Sequence, residues 1–66
     1  MKTFKKDSEY YFFFNAHYAT GLITVAAERE ITIRNVHMYN FDRDEPFAAC
    51  DELVIDPDKL VAWGET

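Results

Sequence analysis

Glycine, proline and cysteine are scarce in this chain, with two, two and one among 66 residues. The single cysteine, Cys50, has no partner for an internal disulfide, and no CxxC redox pair or zinc knuckle can be built around it. A reducing, cytoplasmic setting is the expectation, with no cofactor and no metal. Bases are few too: 7 Lys and Arg against 12 Asp and Glu give a net charge of −5, which disfavours direct binding to a phosphate backbone. No apolar run approaches the roughly 18 residues of a membrane-spanning helix. The opening MKTFKKDSEYYFFF has the lysines of a signal peptide, but Asp7, Ser8 and Glu9 interrupt it. The apolar run behind them is short and aromatic and has no small-residue cleavage site. With no lipidation signal either, the reading is a soluble protein with no membrane partner. GxGxxG, GxxxxGK[ST], GxSxG and HExxH are all missing, so nucleotide, hydrolase and zinc-protease chemistry lacks its motifs, and no enzyme is expected.

Apolar residues make up 48% of the chain and 11 residues are Phe, Trp or Tyr, too many for a disordered acidic tail. A chain of this size folds as one domain and buries only about 60% of the surface it exposes when unfolded. Residues 1–66 are therefore read as a single domain, with residues 1–8 a basic, flexible amino terminus carrying Lys2, Lys5 and Lys6.

The densest feature is EYYFFFNAHY, Glu9 to Tyr18. Its even positions Tyr10, Phe12, Phe14, Ala16 and Tyr18 are apolar, the period of a half-buried strand. The even face is assigned to the core. Tyr11 and Phe13 then form an apolar patch on the other face, which a domain with one core has little to cover. Gly21 suggests a hairpin leading into LITVAA, Leu22 to Ala27, whose β-branched residues favour a strand. In EITIRNVHMYNF, Ile31, Ile33, Tyr39 and Phe41 alternate with Thr32, Arg34, Val36 and Met38, and Asn35 and His37 interrupt the pattern. AAERE between these runs is either a corner or one turn of helix.

DRDEP, Asp42 to Pro46, is a loop by composition. FAACDELVI reads either as a short helix opened by Pro46 or as a strand ending at Leu53 to Ile55. IDPDK is a turn joining LVI to LVAW in a hairpin, the preferred reading, or an Asp56 cap on a short helix that begins at Pro57 and is ended by Gly64. The fold class expected is mainly β: one small antiparallel sheet or partly open barrel of about five strands, with room for one short helix. An α+β arrangement is the alternative.

Charge is unevenly distributed. From Asp42 to the end, eight acids face Arg43 and Lys59, a local −6. Such a segment attracts a basic surface. The function expected is a small acidic protein-binding module, an inhibitor or adaptor docking on a basic, nucleic-acid-binding protein. Its carboxylates Asp42, Asp44, Glu45, Asp51, Glu52, Asp56 and Asp58 would stand in for phosphates, with Tyr11 and Phe13 as anchors. Small size, acidity and missing catalytic motifs form a profile shared by phage-encoded inhibitors of bacterial defence, anti-CRISPR proteins among them, and by many other small proteins. The alternative is a homodimeric structural subunit with Tyr11 and Phe13 in its seam. A lesser one is a single-strand nucleic-acid-binding barrel that stacks bases on Tyr11, Phe13 and His17, against which the charge argues. Cys50 reads as a half-buried filler, and DRDE and DPD as solvated loops.

Overall fold

The computed structural model describes residues 3–66. It is mainly β, with five antiparallel strands in one open sheet: β1 (Glu9–Phe13), β2 (His17–Ala26), β3 (Ile31–Asn40), β4 (Ala48–Ile55) and β5 (Ala62–Glu65). The strand order is β4-β3-β2-β1-β5. A 3-10 turn at Pro57–Lys59 is the helical element among the described residues.

The aromatic run is not one strand. Phe14 N–H donates to the His17 carbonyl at 2.9 Å, closing a tight turn over Asn15 and Ala16. Phe13 therefore pairs with Tyr18, and Phe12 with Ala19. Two turn residues reverse the parity, which corrects the assignment of the even face. Tyr10 and Phe12 are buried, Ala16 lies exposed in the turn, and Tyr18 sits beside Phe13 on the outer face.

The hairpin expected at Gly21 is overturned as well. Gly21 lies inside β2, opposite Tyr10, and has no positive φ. Its role is close approach. A Cβ built there would stand 2.9 Å from Ile33 Cδ1, 3.1 Å from Ile33 Cβ and 3.3 Å from the Arg34 carbonyl oxygen. The next turn is at Glu28 and Arg29, where Ala27 N–H donates to the Glu30 carbonyl at 2.9 Å; it is a corner, not a helical turn.

Two bulges curl the sheet. Thr20 pairs with His37 and Leu22 with Arg34, so β3 carries an extra residue, and Asn35 adopts a φ of 56° as the first residue of such a bulge often does. On β2 the extra residue is Thr24, between the Ile23–Ile33 and Val25–Thr32 pairs; its hydroxyl donates to the Thr32 carbonyl at 3.3 Å. Bulges bend a strand and strengthen its twist, so one face closes around a core of Tyr10, Phe12, Ala19, Ile23, Ile31, Ile33, Val36, Ile55 and Leu60.

FAACDELVI resolves as strand β4, paired with β3 from Met38–Ala48 to Ile31–Ile55. The expected hairpin between LVI and LVAW does not form: β4 and β5 are the two edges of the sheet, and β5 pairs with β1. The reason lies in IDPDK. The Asp56 carboxylate accepts from Asp58 N–H at 2.9 Å and Pro57 supplies the φ of a first helical position, so the chain enters a 3-10 turn instead. The link then buries Pro57 and Leu60 on its way to the far edge.

The core is also covered from the amino-terminal side. Phe4 packs on Tyr10, Phe12 and Trp63 with ring centroids 5.7, 6.3 and 5.3 Å away. Lys5 N–H donates to the Tyr10 hydroxyl at 2.9 Å, and Asp7 N–H to the Ile23 carbonyl at 2.7 Å. Of the basic amino terminus, Met1 and Lys2 lie outside the described residues.

The two glycines make opposite predictions. Gly21→Ala must push Ile33 or the Arg34 backbone and should cost about 1–3 kcal/mol. Gly64→Ala meets nothing within 4 Å and should change stability by less than about 1 kcal/mol. Urea-denaturation midpoints of the two variants check this.

A candidate docking surface

The outer face of the sheet gathers rings from three strands. Register places Phe13 opposite Tyr18 and Tyr18 opposite Tyr39, while Tyr11 lies two residues before Phe13 on the same face and Phe41 follows β3 directly. Tyr18 is the hub: its ring centroid lies 4.8 Å from that of Tyr39 with the planes 10° apart, 5.7 Å from Phe13, 5.6 Å from Phe41 and 6.2 Å from Tyr11. Phe13 and Phe41 are nearly parallel at 6.4 Å. Such offset contacts contribute about 0.5–1.5 kcal/mol each beyond area burial. They hold the rings in place without hiding them, since Tyr11 remains 41% and Phe41 57% exposed.

Both anchor residues read from the sequence, Tyr11 and Phe13, lie in this platform; Tyr11 is exposed and Phe13 half-buried among its neighbours. Sequence reasoning missed Tyr18, Tyr39 and Phe41. Alternation puts Tyr39 and Phe41 on the face of Ile31 and Ile33, but the bulge at Asn35 exchanges the faces midway. Ile31, Ile33, Val36 and Met38 then point to the core side, and Tyr39 to the outer side with Tyr18. The interruption at Asn35 was the available signal.

The seven carboxylates are all exposed and fall in three places. Asp42, Asp44 and Glu45 occupy the β3–β4 loop, directly after Phe41. Asp51 and Glu52 lie in the middle of edge strand β4, and Asp56 and Asp58 flank Pro57 at its far end. The chain thus sets three of them in the loop that follows Phe41, two within edge strand β4 and two in the 3-10 link beyond it. An ion pair between described residues, Lys5–Glu65 at 3.4 Å, does not involve Asp42, Asp44 or Glu45.

Cys50 lies in edge strand β4. It is exposed, which corrects the half-buried filler reading, and its thiol donates to the Glu52 carbonyl at 3.5 Å. His17 instead stacks on Phe14 at 4.9 Å and meets the edge of Phe47 at 6.2 Å. Among the described residues no three His, Cys, Asp or Glu side chains converge as a metal site, and no helix is long and apolar enough to cross a membrane. An open concavity of about 910 Å³ lies at the opposite end of the strands, beside Phe4, Ala26, Glu28 and Trp63, and among the described residues its walls contain neither histidine nor cysteine.

The chain matches no protein family, curated protein sequence or solved structure with which it was compared.

Exposure separates the two aromatic sets energetically. Phe12→Ala empties a fully buried position and should cost about 3–5 kcal/mol, enough to unfold most of the molecules in so small a domain. Phe41→Ala removes ring contacts at an exposed position and should cost less than about 1.5 kcal/mol. Thermal melts followed by circular dichroism distinguish the two.

Proposed function

We propose that this protein is a small acidic protein-binding module, an inhibitor or adaptor that docks on a basic surface of a nucleic-acid-binding protein. The observation carrying this reading is the junction at Phe41 and Asp42, where an exposed aromatic platform runs directly into a loop bearing three carboxylates. The two halves complement each other chemically. Rings supply a preorganised apolar anchor, the kind of group that dominates interface energetics once desolvated. Carboxylates attract lysine and arginine over a range of about 8 Å at physiological salt and set register and on-rate more than final affinity. An arginine of the partner can lie over the Phe41 ring as a cation–π pair while an adjacent carboxylate meets its guanidinium.

The open loop supports this better than a structural role for its acids, because no ion pair within the described chain engages Asp42, Asp44 or Glu45. Stacking of nucleobases on the same rings has less support, since the cations nearest the platform in sequence, Lys6, Arg34 and Arg43, are few and a stacking groove is normally basic. The homodimer reading shares the platform and differs in what covers it.

Affinity capture on the tagged protein from nuclease-treated cell lysate, eluted with a salt gradient and identified by mass spectrometry, tests the proposal. A basic nucleic-acid-binding protein should elute as salt rises. The triple variant Asp42→Lys, Asp44→Lys, Glu45→Lys should bind it on the order of tenfold more weakly at low salt with an unchanged melting curve, because exposed loop charges contribute little to stability. Recovery of the bait alone, with a dimer mass in sedimentation, would replace this reading with the self-associating one.

A further inference from the structure

The sheet is open, and β4 is one of its edges: among the described residues it pairs with β3 on one side and with nothing on the other. It is an eight-residue strand, exposed at every position except Leu53 and Ile55. An edge of that length presents a row of backbone donors and acceptors that a further strand can use, and natural edges are guarded against the wrong one, commonly by charge. Here the guards are Asp51 and Glu52, and β4 carries no lysine or arginine.

Their position selects the occupant. Two copies of β4 joined at their outer edges are related by a two-fold axis normal to the sheet, so their faces stay together and residues of equal parity lie opposite each other. The two central registers then set Asp51 against Asp51 or Glu52 against Glu52, and like charges directly opposite destabilise a strand pair. An incoming strand with lysine or arginine at those positions meets opposite charges instead. The loop acids Asp44 and Glu45 precede the strand and Asp56 follows it, so the carboxylates run along an edge of about 26 Å at the usual rise per residue.

We infer that the outer edge of β4 receives an extended, lysine- or arginine-bearing segment of the partner as a sixth strand. Main-chain hydrogen bonds supply affinity and side-chain charge supplies choice, as in other strand additions. The inference rests on the docking reading above and narrows its partner from a folded basic surface to one with a basic segment free to extend.

The probe is a fluorescent peptide of lysine and threonine, about nine residues long to match a typical strand, compared with the same sequence N-methylated at every residue. Methylation keeps the charge and removes every backbone donor. The unmodified peptide should bind, protect amides within residues 48–55 from hydrogen exchange, and exceed its methylated form by on the order of tenfold. The Asp51→Lys, Glu52→Lys variant should lose on the order of tenfold in affinity while melting as the parent does. Equal binding of both peptides without protection at 48–55 would overturn edge addition and leave acidic docking standing; no binding of either peptide overturns it too. The docking reading itself is decided separately by the affinity capture together with the loop variant, whose substitutions leave Asp51 and Glu52 unchanged.

Discussion

A single sheet with no helical layer has to cover its own apolar face, and the fold depends on how tightly it can curl to do so. The closest approach is at Gly21, where the β2 backbone lies so near Ile33 and Arg34 that a methyl group would stand 2.9 Å from a side-chain carbon. The bulges at Thr24 and Asn35 flank this contact in the β2–β3 pairing, and their added twist makes it possible. The gaps that remain are filled from the chain's two ends: Phe4 packs on Tyr10, Phe12 and Trp63, and the link after β4 buries Pro57 and Leu60. Neither segment is a regular strand, and both are needed because a domain this small has no second layer to offer.

Curling inward on one face fixes what happens on the other. Each bulge adds one residue to one strand and so exchanges the faces of everything beyond it. At Asn35 that exchange sends Val36 and Met38 inward and Tyr39 outward, where Tyr39 meets Tyr18 with the ring planes 10° apart. The device that lets the sheet close around its core is thus the one that completes the external platform. Mutual stacking stiffens the rings and lowers the entropy that a binding partner would otherwise have to remove. Packing among themselves accounts for Phe13, Tyr18 and Tyr39, each half-buried. Tyr11 and Phe41, at 41% and 57% exposure, retain apolar area that intramolecular contacts leave in water.

The fold class was legible because β-branched and aromatic residues alternate over most of the chain while the runs that could be helical are short. Five antiparallel strands in one sheet follow from that pattern. Register was not legible, because it turns on single residues. Asn15 and Ala16 make a turn without glycine or proline, so composition pointed to Gly21 instead, a glycine kept for space and not for φ. Asn35 was visible as an interruption, yet a polar residue in a strand reads equally as an exposed position or a bulge, and only the left-handed φ of 56° distinguishes them. The Asp56 cap and the start at Pro57 were legible as one of two options, but that helix was read as running to Gly64, whereas the turn ends at Lys59 and Gly64 lies in β5. The competing hairpin was preferred because Val54, Ile55, Val61 and Trp63 suit strands, and each of those residues except Val61 does lie in one, though in strands at opposite edges.

Acidity in this chain has two separable physical roles, and position distinguishes them. Carboxylates in the middle of an exposed edge strand protect it, because an unguarded edge of eight residues is a template for aggregation; Asp51 and Glu52 are accounted for by that need alone, whatever else the edge accepts. The loop carboxylates guard nothing of the kind, since Asp42, Asp44 and Glu45 lie outside any strand. Arg43 sits among them, and charges this exposed contribute little to stability in either direction. Loop carboxylates that defend no edge and follow directly on the exposed Phe41 ring are the part of the acidity that the proposed docking, more than edge protection, would use.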